Sequence, residues 1–166
     1  MARAIDVANF IVLQGLNNNF DINNLKLQKL LYYSEVESLT NRNGVSLFEE
    51  DIEKWKLGPV IPQVYHEFKR FGAKPITETV STINFEELSD DPWNFTFVEF
   101  NEDSLNEDER NCVVKTMETL GNANPFHLVD MTHSEPMWAK DKDKIILGEK
   151  HLKYDRNEIL SYFRRL

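Results

Sequence analysis

Four histidines and one cysteine are the side chains of this 166-residue sequence best suited to nucleophilic or metal chemistry. His66, His127, His133 and His151 share no i,i+3 or i,i+4 spacing, so no helical turn offers two ring nitrogens to one ion. Cys112 is the single cysteine, which excludes an intrachain disulfide and a cysteine-based zinc cage. Its place on an apolar helical face reads as core packing. There is no Gly-rich phosphate loop, no G-x-S-x-G elbow and no H-E-x-x-H pair. His133, beside Thr132 and close to Trp138, is the most site-like histidine; a structural hydrogen-bonding role suits it better than binding, and binding better than catalysis. The expectation is a protein without catalytic residues, metal or cofactor.

Charge narrows the partners. Lys and Arg number 19 against 28 Asp and Glu, a formal net charge of −9. A non-specific nucleic-acid binder needs the opposite surplus to neutralise phosphates. The short basic-aromatic runs Lys69-Arg70-Phe71 and Tyr162-Phe163-Arg164-Arg165 read instead as helix ends, where cations favour the dipole. The excess is local: Pro75 to Glu109 holds 11 acidic residues and no Lys, Arg or His, while the remainder carries 17 acidic and 19 basic residues. Two readings of this segment stay open. It is a solvated connection, or a surface on which Glu86, Glu87, Asp90 and Asp91 attract a basic protein partner.

The elements that must hold any site are mainly helical. The length suits one domain over 1–166, and 41% hydrophobic residues supply its core. The longest apolar run, Phe10 to Leu13, is far too short to span a membrane, and no signal-peptide pattern opens the chain, so a cytoplasmic protein is expected. The spacing predicts a helix from Arg3 to Gln14 with Gly15 as C-cap. The strongest helix follows Asn23 or Asn24 and runs from Leu25 to Leu39. On it Lys26, Lys29, Tyr33, Glu37 and Thr40 form one narrow stripe, expected as the polar edge of an otherwise buried helix.

Gln28 and Glu35, seven residues apart, project roughly opposite that stripe. A carboxylate there needs a partner, and a Trp N–H, a histidine or a backbone amide would serve. The alternative is a polar feature at the floor of a binding groove. Downstream, Gly58-Pro59 is a turn, Pro62 opens a helix ending at Gly72, and Asp51 to Trp55 is either a short helix or extended. Thr77 to Asn84 and Phe95 to Phe100 suggest a small antiparallel hairpin. Ser104 to Glu107 has capping-box spacing before a helix ending at Gly121, and Asp155 to Glu158 has it again before the last helix. Asn124-Pro125 opens the helix that carries Thr132 and His133, and Pro136 discourages its continuation.

Three segments, in order, resemble the Panacea domain of SocA-like antitoxins and phage-associated GepA-like proteins. Lys26-Leu27-Gln28-Lys29-Leu30-Leu31-Tyr32-Tyr33 is similar to that family's K-L-x-K-L-L-Y-Y helix. Asp51 to Val60, with Trp55, Gly58, Pro59 and then Val64-Tyr65, is similar to its D-x-E-A-W-x-Y-G-P-V…V-Y segment. Leu128 to Trp138, through Thr132-His133, is similar to its L-x-x-x-T-H…W segment. Lys54 stands where the family usually has Ala, and Leu57 replaces a frequent aromatic.

The resemblance implies a non-catalytic antitoxin that binds a protein toxin from a neighbouring gene, often in a prophage or mobile element. An alternative is a proteolytic adaptor delivering the toxin to a ClpXP-type protease. Trp55, Leu57, Tyr65, His133 and Trp138 are then the candidate partner contacts, since interfaces rest on a few aromatic anchors. The competing role for Trp55 and Trp138 is to join the segments into one core. Lys26, Gln28, Lys29, Tyr32, Glu35, Gly58, Pro59 and Thr132 complete the motif as structural residues.

Overall fold

The computed structural model describes residues 1–85 and 95–166, and it is mainly helical. Eight α-helices lie among the described residues: α1 (Ala4–Asn17), α2 (Asn24–Asn41), α3 (Pro62–Phe68), α4 (Glu107–Leu120), α5 (Pro125–Ser134), α6 (Pro136–Ala139), α7 (Lys142–Ile146) and α8 (Arg156–Phe163). Two antiparallel hairpins complete the secondary structure. One pairs β1 (Glu53–Trp55) with β2 (Gly58–Val60); the other pairs β3 (Thr82–Phe85) with β4 (Phe95–Val98). Asp51 to Trp55 thus ends in strand, and the expected middle hairpin is present.

Helix α2 is the axis of the fold, with α1, α3, α4, α5, α8 and β2 all against it. Its start is set by Asn23, whose side chain accepts from the Lys26 amide. Leu27, Leu30, Leu31, Tyr32, Val36 and Leu39 join the core, which also draws on α1, α4 and α8. Because neighbours surround α2, the stripe read as its polar edge is largely covered. Lys26, Lys29 and Tyr33 are buried, and only Glu37 and Thr40 reach the half-exposed range. The Lys26 ammonium donates to the Asp21 carbonyl, which lets it lie under cover.

Four local expectations are corrected. The first hairpin turns at Lys56-Leu57, and Gly58-Pro59, read as the turn, open β2 instead, because Gly58 pairs with Trp55. Gly15 does not end α1, which continues to Asn17; a Cβ at Gly15 would lie 2.4 Å from Ile22 Cδ1, so close packing is what this glycine allows. The capping box of α4 is made by Asn106 and Glu109 rather than Ser104 and Glu107, because a 3-10 turn at Glu102–Ser104 delays the helix. At α8, Asp155 does accept from the Asn157 amide, but Glu158 turns away to Lys140 instead of closing a box. Pro136 separates α5 from α6 as expected, and α7 has no counterpart in the sequence reading.

The outer edge of β1 is not bare. The Lys54 amide donates to the Leu152 carbonyl and the Tyr154 amide to the Ile52 carbonyl, so residues 152–154 run along it. The β1–β2 hairpin is therefore held on one side by this segment and beneath by α2. No helix among the described residues is long and apolar enough to cross a membrane.

Candidate functional site

From α2 upward, a row of polar side chains grips the backbone of the β1–β2 hairpin and of the adjoining helix α3. Lys29, with no solvent exposure, donates from Nζ to the Pro59 carbonyl at 2.9 Å. Gln28 accepts from the Ile61 amide at 2.9 Å, and its own amide nitrogen donates to Asn24 Oδ1. Asn24 in turn donates to the Tyr65 carbonyl. These contacts satisfy the peptide groups of Pro59, Ile61 and Tyr65 from β2 into α3. Burial alone lowers the Lys29 pKa to about 7, since nothing anionic compensates for lost hydration.

One turn further along α2, Tyr32 and Tyr33 both donate to the Glu135 carboxylate, at 2.5 and 2.9 Å. Glu135 lies at the junction of α5 and α6. Burial raises its pKa to about 7 against the opposing pull of the two phenols. Burial, and then the adjacent carboxylate, holds both tyrosines far above their ordinary range, so they remain donors. Tyr154 packs its ring on Tyr32 with centroids 5.2 Å apart. Glu35 lies deeper still; it accepts from the Leu47 amide at 2.6 Å and from Arg156 Nε at 2.6 Å. The amide was expected, but the arginine was not. Burial raises the Glu35 pKa, opposed first by its bond to Arg156.

The hairpin turn closes over this row. Gly58 has φ +95°, and a Cβ there would stand 2.5 Å from Thr132 Oγ1 and 3.2 Å from Lys29 Cε. Thr132 is itself fixed by donating to the Val129 carbonyl. Gly58 therefore needs its missing side chain twice over, for backbone geometry and for the approach of α5. Here the first and third motifs meet on the second: Lys29 and Thr132 converge beneath Gly58-Pro59.

On the outer side the aromatic residues separate into two roles. Trp138 is buried, its indole N–H donates to the Trp55 carbonyl at 2.9 Å, and its ring stacks on His133 with centroids 3.7 Å apart. Trp55 is half-buried, packs on Tyr65 with centroids 5.0 Å apart, and donates to Glu53. Glu53 also meets His151; burial works against its carboxylate, but these two partners bring its pKa below the usual value. Lys54, the departure from the family's alanine, is buried and pairs with Asp141 at 2.5 Å. Leu57 is the exception among these residues, standing 46% exposed at the tip of the turn.

The structure thus brings Trp55, Leu57, Tyr65, His133 and Trp138 to one end of the molecule, around the hairpin tip. Gly58 and Pro59 follow the tip in β2, with Gln28, Lys29 and Thr132 beneath them; Lys26 and Glu35 lie elsewhere along α2. Glu86, Glu87, Asp90 and Asp91 fall outside the described residues. Sequence reasoning missed Asn24, Glu135 and Arg156 as partners. Of these, Glu135 carried a signal, as a carboxylate between His133 and Trp138 in the third motif. Among the described residues no group of three or more His, Cys, Asp or Glu side chains is arranged to hold a metal ion.

Residues 27–139 match the family model described as antitoxin SocA-like, Panacea domain. The chain belongs to that family. A curated relative, Antitoxin SocA of Caulobacter vibrioides, is 40% identical over 70 residues. That match spans 42% of this Panacea-domain chain and 37% of the relative. No solved structure matches.

Proposed function

We propose that this Panacea-domain protein is an antitoxin that neutralises a protein toxin by direct binding, with the β1–β2 hairpin tip as the contact. One observation carries the choice of surface. Leu57 is an exposed apolar residue on a turn whose backbone is held by Lys29, flanked by Gly58 against Thr132, and braced through Trp55 by Trp138. An anchor on a pre-set backbone loses little conformational freedom when it binds, which favours affinity. Membership of the SocA-like family supports the antitoxin reading. The proposed toxin is the product of a neighbouring gene.

Co-expression tests it. The wild-type chain is expected to rescue growth of cells producing the neighbouring gene product. Leu57→Asp is expected to lose rescue and complex formation while keeping its circular dichroism and melting temperature. Rescue undiminished by Leu57→Asp removes the hairpin tip as the contact; failure of the wild-type chain to bind or rescue removes the antitoxin reading.

A further inference from the structure

The hairpin tip has a charge unlike that of the chain. The whole sequence carries a formal −9, yet the exposed charges beside Leu57 and the His133 ring are two lysines, Lys56 and Lys142, against one carboxylate, Asp130. Lys56 is the exposed neighbour of Leu57 in the turn. Lys29 lies beneath, its Nζ 3.4 Å from where a Gly58 Cβ would sit. The His133 ring, stacked on Trp138, lies within the field of Lys29 and of exposed Lys142, the first residue of α7.

Two nearby carboxylates, Glu53 and Asp141, are already engaged, whereas Asp130 stands exposed on α5 without an ion pair among the described residues. Glu53 meets the Trp55 indole and His151, and Asp141 meets Lys54 and Lys144. Asp130 on α5 is the anionic group whose field reaches His133. One and two turns before His133 on the same side of α5 come Asp130 and Phe126, the latter 63% exposed. The surface from the hairpin tip to His133 therefore presents Leu57, Lys56, Lys142 and half-exposed His133, with Asp130 as the one opposing charge.

We infer that the partner segment seated on this tip carries an apolar side chain flanked by carboxylates. Leu57 supplies the apolar contact, and Lys56 and Lys142 supply the charges that the carboxylates meet. The complementarity acts mainly on encounter rate and on discrimination between partners. It is opposite in sign to what the acidic segment, taken alone, would select. This inference rests on the hairpin tip being the toxin contact, and its test separates the two.

The uniformly 15N-labelled full chain is titrated with two synthetic probes, acetyl-Glu-Glu-Phe-Leu-Glu-Glu-amide and acetyl-Lys-Lys-Phe-Leu-Lys-Lys-amide. The acidic peptide is expected to shift the amides of Leu57, Gly58 and His133 with at least tenfold tighter binding than the basic one. The double variant Lys56→Glu/Lys142→Glu is expected to reverse that order. Equal or stronger shifts from the basic peptide, or no shift at these amides from either, overturn the inference.

The neighbouring gene product provides the second arm. Protection by the wild-type chain but not by the double variant supports both readings. Equal protection by both chains leaves the antitoxin reading standing and overturns the charge assignment. Tip binding by the acidic peptide, with no protection by the wild-type chain, supports the charge assignment and removes the antitoxin reading.

Discussion

The ammonium of Lys29 meets the carbonyl oxygen of Pro59 at 2.9 Å, from a position on α2 with no solvent exposure. A lysine in such a place supplies a hydrogen bond that a leucine cannot, because the Pro59 carbonyl has turned inward and needs a donor. This contact ties the first motif of the family to the second.

Lys29→Met removes that donor and keeps an unbranched apolar stem one atom shorter. It is expected to destabilise the protein by about 1–3 kcal/mol, the usual cost of a buried unsatisfied carbonyl. Urea denaturation measures the loss. Amide exchange at Leu57 and Gly58 should accelerate more than exchange in α4, since the local anchor is lost first.

Glu135 and Lys29 give the stability curve opposite slopes on either side of neutrality. Glu135 titrates near 7 in the folded chain against 4.5 for its ordinary value, so between these the folded state holds the extra proton. Stability from this group therefore falls as pH rises from about 4.5 to 7. Lys29 titrates near 7 against 10.5, so the unfolded chain holds the extra proton above 7, and stability rises from there toward 10.5. Denaturant midpoints across pH should show the acid-side slope weakened in Glu135→Gln alone and the alkaline slope weakened in Lys29→Met alone. Parallel curves for the variants and the wild type would contradict both assignments.

Gly58→Ala is expected to cost about 2–4 kcal/mol, combining positive-φ strain with collision against Thr132. The double variant Gly58→Ala/Thr132→Ser should leave that cost unchanged, because the hydroxyl is the colliding atom. Gly58→Ala/Thr132→Ala should recover part of it, so a thermal-unfolding cycle separates backbone strain from the clash.

Arg156→Ala strands the fully buried Glu35 carboxylate and should cost about 3–5 kcal/mol. Adding Glu35→Gln is expected to restore at least about 1 kcal/mol, because the neutral amide needs no counter-charge. A chemical-denaturation cycle measures the coupling. Strict additivity would mean that the arginine acts through its bonds to the Phe48 and Glu50 carbonyls instead.

The sequence by itself determined the main helices and several of their starts. Asn23, Asn124 and Asp155 cap their helices through bonds spanning two or three residues, and Pro62 opens α3, all of which is local chemistry. Resemblance also grouped Lys29, Gly58 and Thr132, without saying that they touch. Tertiary structure alone decided which polar faces are covered. Periodicity shows that Lys26, Lys29 and Tyr33 share a side of α2, but not that another element lies over it. The partners of Tyr32 and Glu35 were illegible for the same reason. Glu135 comes 103 residues after Tyr32, and Arg156 comes 121 residues after Glu35. A buried charge fixes only that some partner must exist; which one it is depends on how distant segments pack, and no local spacing encodes that.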